Sequence, residues 1–279
     1  MSWQHGEYSW PINITLYTFH VFYTQKLPQK LNHTPAAVHN TFQFSNVPGK
    51  RHRFREAGIW LANPPSYYHY KFLTYTHKVL ETELNVEGHF RMMNHQLKQI
   101  RTALSLAIAL DRVLVMPKII CNLDRTWFPS FPDGRFPGSD DLFTLPFHCP
   151  LDHVLDLEGM EKNGLLNSIR EDSFLPNGAK HTVTWGVGAF RHGVTASDLR
   201  AKEPHHFVPN LHFESVDEYG GFDDPSERDE FYGKLKNSIG IWCCDHASPG
   251  HIHYDFMWDM PHTDKFGRHF DAWEIRHGP

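Results

Sequence analysis

The segment HNTFQFSNVPGKRHRFREAGIW, residues 39–60, contains the residue types that bind phosphate groups. A Pro-Gly pair stands directly before Lys50 and Arg51, and Arg53 follows shortly after. Glycine lets a backbone approach an anion, while lysine and arginine supply positive charge and forked hydrogen-bond donors. The segment therefore predicts a turn that binds a diphosphate through Lys50, Arg51 and Arg53. From spacing alone, a solvated basic turn without a ligand is the alternative.

His39 lies shortly upstream of the same turn. Neutral imidazole is a frequent ligand of divalent metals, and such a metal can bridge the phosphates of a bound ligand. His39 is therefore the candidate metal ligand of this segment. The chain has 22 histidines but no C-x-x-C pair and no H-E-x-x-H sequence, so histidine abundance alone does not indicate a zinc site.

Length and composition limit the class of protein. The 279 residues are enough for one large domain or two smaller ones, and 40% hydrophobic with 14% aromatic residues support a packed core. The net charge is −5 and the sequence pI is near 6.5, which argues against a general attraction to nucleic acid or to anionic membranes. No apolar run approaches the ~20 residues that span a bilayer.

Two helix–strand pairs predict an α/β fold. Residues 91–110 contain neither proline nor glycine, and their apolar side chains recur at helical spacing along one face. Residues 113–116 follow as a short apolar run that ends at a proline, which is typical of a buried strand. The pair repeats at 226–236 and 239–244, with Asp224 as the cap of the second helix. The chain before the first pair is predicted to form short strand-like segments that are interrupted by proline and glycine.

Three further side chains are candidates for contact with an acceptor or sugar. Arg125 lies in the loop over residues 122–150, which is rich in proline, glycine and aromatic residues, and long loops of this kind are often functional. Asp255 and Asp259 flank Trp258. Carboxylates bind hydroxyl groups and an indole offers an apolar face, so this group is suited to a sugar.

Two residue pairs have alternatives that the sequence leaves open. Cys121 and Cys149 can form a disulfide in an oxidising lumen, or they can remain free thiols. Asp152 next to His153 combines a carboxylate with an imidazole, which can act as a general base. Because the two are sequence neighbours, a simple turn is the alternative.

Long motifs along most of the chain resemble a known family. They are QKLPQKL, AVHNTFQFSNVPGKRHRFREAGIW, HFRMMNHQLKQIRTALSLAIALDRVLVMPKIICNLDRTWF, LPFHCPLDHVLDLE, SIREDSFLPN and IGIWCCDHASPGHIHYDFMWD. In this order, between residues 24 and 259, they resemble the C-terminal portion of the plant and algal extensin arabinosyltransferases, within the nucleotide-diphospho-sugar transferase superfamily.

The resemblance implies transfer of a sugar from a UDP-sugar, with β-L-arabinofuranose as the donor sugar. The implied acceptors are short arabinose chains on hydroxyproline-rich cell-wall glycoproteins, and the implied location is the Golgi lumen. It also implies a GT-A type fold in which Mn²⁺ neutralises the diphosphate leaving group. His39 matches the position of a histidine that adds a metal ligand in such enzymes, and Lys50, Arg51 and Arg53 would lie near the diphosphate. Full-length members are expected to be type II membrane proteins, and we expect the anchor to lie outside this chain.

A D-x-D triplet supplies metal ligands in GT-A enzymes, and none occurs in these 279 residues. The family places it upstream of the segment that contains His39, so we expect the chain to correspond to the part after the nucleotide-binding strands. The expected architecture is the C-terminal end of a nucleotide-diphospho-sugar transferase domain over residues 1–80 and an appended α/β domain over residues 81–279. The alternative function is a non-catalytic remnant that binds a carbohydrate or a partner.

A second, weaker resemblance concerns the first predicted helix. Its sequence is similar to the opening of protein O-fucosyltransferase-like domains, in which an N-x-Q stretch starts a helix. Asn94 and Gln96 would then lie at the N-terminal end of the helix, where free N–H groups favour anionic or hydroxyl-rich ligands. Both are therefore candidate acceptor contacts. A helix cap at Asn94 with Gln96 on the surface is the alternative.

Overall fold

The structure of the chain is a computed structural model. It describes residues 22–23, 26–32, 34–35, 37–40, 44–84, 88–122, 145–175, 182–185, 193–201, 208–236, 238, 241–243, 251–253, 262–263 and 269–270. Within these ranges the helices are α1 (Leu27–Lys30), α2 (Asn46–Glu56), α3 (His89–Ala109), α4 (Leu157–Lys162), α5 (Ala196–Ala201) and α6 (Pro225–Lys236).

The strands in the same ranges are short. They are β1 (Phe72–Tyr75), β2 (Val113–Val115), β3 (Ile119–Cys121), β4 (Phe147–Cys149), β5 (Ile169–Arg170), β6 (Thr182–Trp185), β7 (Val194–Thr195), β8 (Asn210–Phe213), β9 (Tyr219–Gly221), β10 (Ile241–Cys243), β11 (His251–His253), β12 (His262–Thr263) and β13 (His269–Phe270). Short 3-10 turns, among them Leu151–His153, connect several of them.

A parallel sheet of five strands forms the centre of the fold, in the order β5-β2-β1-β8-β6. β1 lies in the middle and pairs with β2 on one side and with β8 on the other. β5 and β6 complete the two edges, each parallel to its neighbour. Parallel strands need crossover connections, and α3 supplies the one between β1 and β2. The prediction of an α/β fold is confirmed.

The sheet takes strands from both sides of the boundary that the sequence predicted between residues 80 and 81. β1 precedes this position, whereas its neighbours β2 and β8 follow it. The division into two units therefore stays a prediction, but β1 lies within the sheet of the second unit. Its backbone groups are paired along both edges, with β2 on one side and with β8 on the other.

Helix α3 packs its apolar stripe on the sheet. Leu97 and Leu104 are at most 2% exposed, Ala107 is fully buried, and all three belong to the main core. This spacing returns the side chains to one face of a helix, and the sequence of α3 contains no residue that breaks the hydrogen-bond ladder. The predicted helix and the strand after it are confirmed as His89–Ala109 and Val113–Val115.

The prediction for the Pro-Gly pair was wrong, because Pro48 and Gly49 lie inside helix α2 and not in a turn. Pro48 stands in the first helical turn, where its missing N–H would have no helical partner in any case. Ser45 precedes the helix in a left-handed conformation, with φ 63° and ψ 28°. Proline and glycine near a helix start are thus compatible with a helix that continues to Glu56.

Position 49 requires glycine because the backbone of Phe44 lies too close for a side chain. A Cβ at this position would lie 1.9 Å from the carbonyl oxygen of Phe44. In contrast, a Cβ at Gly233 in helix α6 would meet nothing within 4 Å. The two glycines are therefore a matched pair, both in helices but in different surroundings.

We expect Gly49→Ala to lower the free energy of unfolding by about 1–3 kcal/mol, because the backbone must shift to relieve the contact. The matched variant Gly233→Ala is expected to raise it by about 0.5–1 kcal/mol, since alanine has the higher helix propensity. Urea unfolding followed by circular dichroism measures both. A stabilising effect of Gly49→Ala would contradict the contact with Phe44.

The second predicted helix is also confirmed, as α6. The Asp224 carboxylate accepts a hydrogen bond of 2.7 Å from the Ser226 N–H, which is the expected cap. The strand predicted after it is observed at Ile241–Cys243. It pairs antiparallel with β11 and not with the five-stranded sheet.

A disulfide joins Cys121 of β3 to Cys149 of β4, with Cα atoms 5.7 Å apart. Of the two alternatives for these cysteines, the bridge is therefore the observed one. The side chains of β4 alternate, so that Phe147 and Cys149 are buried and His148 is exposed. In the part of the chain that the structure describes, no helix is long and apolar enough to span a bilayer.

Candidate functional site

A cavity of about 260 Å³ lies where β2 and β5 end. Met116, Pro117 and Lys118 come directly after β2, Asp172 comes shortly after β5, and all four line the cavity. In open parallel sheets, ligands bind in the crevice outside the carboxyl ends of the strands. The other walls come from the end of α2, the start of α1 and the residues after β4. This position makes the cavity the candidate functional site.

Several titratable side chains line the cavity together with Asp172. Burial raises the pKa of the Asp172 carboxyl, while the positive charges of Lys26 and Lys118 oppose this rise. Although part of the His148 side chain is exposed, partial desolvation of its ring and the two lysines lower its pKa, so its imidazole is neutral at neutral pH. The cavity thus presents two ammonium groups, one neutral imidazole and one carboxyl group to a ligand.

Glu56, the last residue of α2, lines the cavity next to these groups. Its Oε1 accepts a hydrogen bond of 2.9 Å from the Leu151 N–H and lies 3.6 Å from Nε2 of His52. Burial raises the pKa of Glu56 well above its usual range and lowers the pKa of His52 to about 3. Both pKa shifts favour the neutral forms, so His52 and Glu56 are in contact without forming an ion pair.

A buried ion pair holds α2 against the segment after β4. Nε and Nη2 of Arg53 each lie 2.8 Å from Oδ1 of Asp152, and both side chains are 0% exposed. The second carboxylate oxygen of Asp152 accepts a hydrogen bond of 3.0 Å from the Phe44 N–H. Asp152 and His153 lie in the 3-10 turn and are fully buried, so the simple turn is confirmed for this pair.

These contacts correct one of the predicted diphosphate ligands. The guanidinium of Arg53 is buried and paired with Asp152. It is therefore not available to a diphosphate. Lys50 is exposed, and Arg51 pairs with Glu161 of α4 at the surface. A phosphate-binding role for Lys50 and Arg51 stays a prediction.

His39 is exposed and lies in the described segment 37–40, before α2. The next residue, Asn40, donates a hydrogen bond of 3.3 Å from Nδ2 to the carbonyl oxygen of Lys50. In the ranges that the structure covers, no three or more His, Cys, Asp or Glu side chains form a group that could hold a metal ion. The described residues therefore form no complete ligand set for Mn²⁺. The metal-binding role of His39 stays a prediction.

Gln96 has a structural role in place of the predicted acceptor contact. It is fully buried, its Nε2 donates to the Ile120 carbonyl at 2.9 Å, and its Oε1 accepts from the Ile120 N–H at 3.0 Å. Gln99 forms the same two bonds with Lys78, at 2.8 and 2.9 Å. α3 begins at His89, so Asn94 and Gln96 lie inside the helix and not at its free N–H groups.

Removal of the Gln96 amide should leave the partly buried N–H and C=O of Ile120 without this partner. We expect Gln96→Leu to lower the free energy of unfolding by about 2–4 kcal/mol, since each unsatisfied group costs about 1–3 kcal/mol. Chemical unfolding measures the change. The exposed Gln29 provides the control, and Gln29→Leu is expected to stay within about 0.5 kcal/mol of the parent. Equal effects of the two substitutions would contradict the role of Gln96.

Arg125, Asp255 and Asp259 lie outside the described residues. Their roles as acceptor contacts therefore stay predictions. The sequence reasoning also missed the cavity residues Glu56 and Asp172. The one local signal for Asp172 is its place just after an apolar pair that ends a strand, where parallel sheets collect functional groups.

An α/β architecture with a parallel sheet and a polar cavity at its carboxyl edge is consistent with a fragment of a glycosyltransferase. No known family profile matches the chain, and no solved structure matches it.

The chain is similar to Arabinosyltransferase XEG113 of Arabidopsis thaliana, with 35% identity over 281 residues. The similarity covers 86% of this chain and 43% of the relative, so the chain spans less than half the length of that protein. The resemblance to arabinosyltransferases that the motifs indicated is thereby confirmed, and the chain is similar to part of such a protein.

Proposed function

We propose that the protein takes part in glycosyl transfer, with L-arabinofuranose from UDP-arabinofuranose as the donor sugar. The proposed acceptor is arabinosylated hydroxyproline-rich glycoprotein of the cell wall, and the proposed location is the Golgi lumen. The observation that supports the proposal is the 35% identity to an arabinosyltransferase over 86% of this chain. The cavity at the carboxyl edge of the sheet is the proposed ligand site.

Mn²⁺ remains part of the proposal only through the resemblance. A divalent metal would neutralise the diphosphate leaving group when bound. Among the described residues, no three or more His, Cys, Asp or Glu side chains form a group that could hold this metal. The disulfide between Cys121 and Cys149 is compatible with the proposed lumenal location, since such bonds persist in oxidising compartments.

A transfer assay with two proteins tests the proposal. One is the chain alone, and the other is a fusion in which the chain replaces the matching portion of the Arabidopsis relative. Each receives UDP-arabinofuranose, an arabinosylated hydroxyproline peptide and Mn²⁺, and the lengthened glycan is measured by mass spectrometry. We expect transfer by the fusion and none by the relative with that portion deleted. A folded fusion without transfer would overturn the proposal.

One observation favours a second function, the non-catalytic binding of a carbohydrate. The 279 residues contain no D-x-D triplet, so the metal ligands typical of GT-A enzymes are not supplied by that motif. Glycan binding by the chain that persists in EDTA, together with a fusion that does not transfer, would support this function. Metal-dependent transfer by the chain alone would exclude it.

A further inference from the structure

The size of the cavity restricts the ligand that it can hold. Its volume is about 260 Å³, and pockets for drug-sized ligands run from about 300 to 1,000 Å³. A nucleotide sugar is larger than the ligands at the lower end of that range. The cavity is suited to a single ring with its substituents, which is the size of one sugar unit.

The helix next to the cavity bears on whether a phosphate group or a neutral ligand binds there. Helix α2 has 11 residues and ends at Glu56, so its carboxyl-terminal end faces the cavity. The partial negative charge at this end disfavours an anion, whereas phosphate sites use the opposite end of a helix. Asp172 adds a carboxyl group to the same cavity. These two features offset the positive charge of Lys26 and Lys118 in the same cavity, so that a neutral, hydroxyl-rich ligand is compatible with it.

The polar groups fit the hydroxyls of such a ligand. The Oε1 of Glu56 is held by the Leu151 N–H, which fixes the orientation of the carboxyl group. Lys26 and Lys118 are donors, and Asp172 is an acceptor within electrostatic reach of both. Donors and acceptors side by side match the hydroxyl group, which can both donate and accept.

Apolar and aromatic side chains also line the cavity. Phe22 and Tyr23 form an edge-to-face pair with ring centroids 4.9 Å apart, and both line the cavity. Met116 and Ile119 add two further apolar side chains to the lining. Sugar rings carry C–H groups on their faces and hydroxyls on their edges, so a lining of polar and apolar groups is complementary to them.

We propose that this cavity binds one neutral sugar unit of the acceptor glycan, with Asp172 and Glu56 as acceptors and Lys26 and Lys118 as donors for its hydroxyls. This inference rests on the proposed function, because it names the acceptor side of the reaction as the role of the cavity. The cavity therefore contributes to the choice of acceptor and not to the binding of the leaving group.

The methyl group of Met116 provides a direct reporter of binding. The full chain is labelled with [¹³C-methyl]methionine and titrated with methyl β-L-arabinofuranoside, and separately with inorganic pyrophosphate. We expect the sugar to shift the Met116 signal in a saturable way and to leave Met160, which is 1% exposed in the core, unchanged. Met116→Leu assigns the signal. A sugar titration without a Met116 shift, or a shift with pyrophosphate instead, would overturn the proposal.

A carboxylate variant and its control test the assigned groups. Asp172→Asn keeps the size of the side chain and is expected to weaken sugar binding about tenfold, because hydrogen bonds to charged groups are the stronger ones. Asp229→Asn, at an exposed position of α6, is expected to leave binding unchanged. Equal affinities of the two variants would contradict the role of Asp172.

The two proposals fail in different ways. A Met116 shift together with a fusion that does not transfer would leave the sugar site intact and overturn the transferase function. Transfer by the fusion without a Met116 shift would support the transferase and overturn the sugar site.

Discussion

Replacement of Asp152 by alanine is expected to lower the free energy of unfolding by about 3–5 kcal/mol, because it leaves the Arg53 guanidinium buried without its countercharge. Both side chains are 0% exposed, and the Nη2–Oδ1 distance is 2.8 Å. The same substitution removes the acceptor of the Phe44 N–H at the start of α2. Such a loss is a large fraction of the stability of an ordinary domain, about 5–15 kcal/mol.

Urea unfolding monitored by circular dichroism measures this loss. The control is Asp229→Ala, which removes an exposed ion pair with Arg228 and is expected to cost at most about 1 kcal/mol. The double variant Arg53→Met with Asp152→Leu is expected to recover much of the stability, since apolar residues can replace a buried pair. A loss below about 1 kcal/mol for Asp152→Ala would show that the pair is not buried in solution.

The second large effect is expected in acid and comes from His89. This side chain is fully buried, and burial lowers its pKa to about 3. Its Nδ1 accepts a hydrogen bond of 3.2 Å from the Asn122 N–H, which requires the neutral ring. In the unfolded chain a histidine binds its proton near pH 6.5. The unfolded state therefore binds more protons between pH 6.5 and about 3, and stability falls as the pH falls through this window.

The expected slope is about 1.4 kcal/mol per pH unit for each such histidine. His52, whose pKa is also lowered to about 3, adds to this loss. Glu56 acts in the opposite direction, because a carboxyl with a raised pKa loses stability as the pH rises above about 4.5. His89 is the simpler test, since burial is the one cause of its shift.

His89→Asn keeps an acceptor for the Asn122 N–H and removes the titration. We expect the acid unfolding midpoint of this variant to move to lower pH, as measured by circular dichroism and fluorescence between pH 7 and 3. His69, which is exposed, provides the control His69→Asn with an unchanged midpoint. An unchanged midpoint for His89→Asn would mean that His89 is not buried in the neutral form.

The parts of the fold that sequence reasoning predicted are those with local causes. The apolar spacing of α3 and the capping of α6 by Asp224 are properties of neighbouring residues, so they can be read along the chain. α2 was missed because a Pro-Gly pair usually marks a turn. What makes it helical is the start of the helix just before it and the absence of a side chain at Gly49, where the Phe44 carbonyl approaches.

The site depended more on distant residues. Arg53 was assigned with Lys50 and Arg51 from a shared pattern, but helical geometry points these side chains in different directions. The partner of Arg53 is Asp152, separated by 99 positions in the chain, and no local spacing connects them. Gln96 was placed among the ligand contacts on the basis of a resemblance, and its bond to Ile120 is likewise not visible in the sequence. Glu56 and Asp172 acquire their importance only through the cavity.

The central position of β1 has a consequence for synthesis of the chain. Thr74 in β1 and His212 in β8 are separated by 138 positions, and translation at about 5–20 residues per second needs about 7–30 s to cover that distance. During this interval one edge of β1 exposes N–H and C=O groups that can pair with a wrong strand. We therefore expect nascent chains that stop before β8 to depend on chaperones, even though α3 and β2 have already been synthesised.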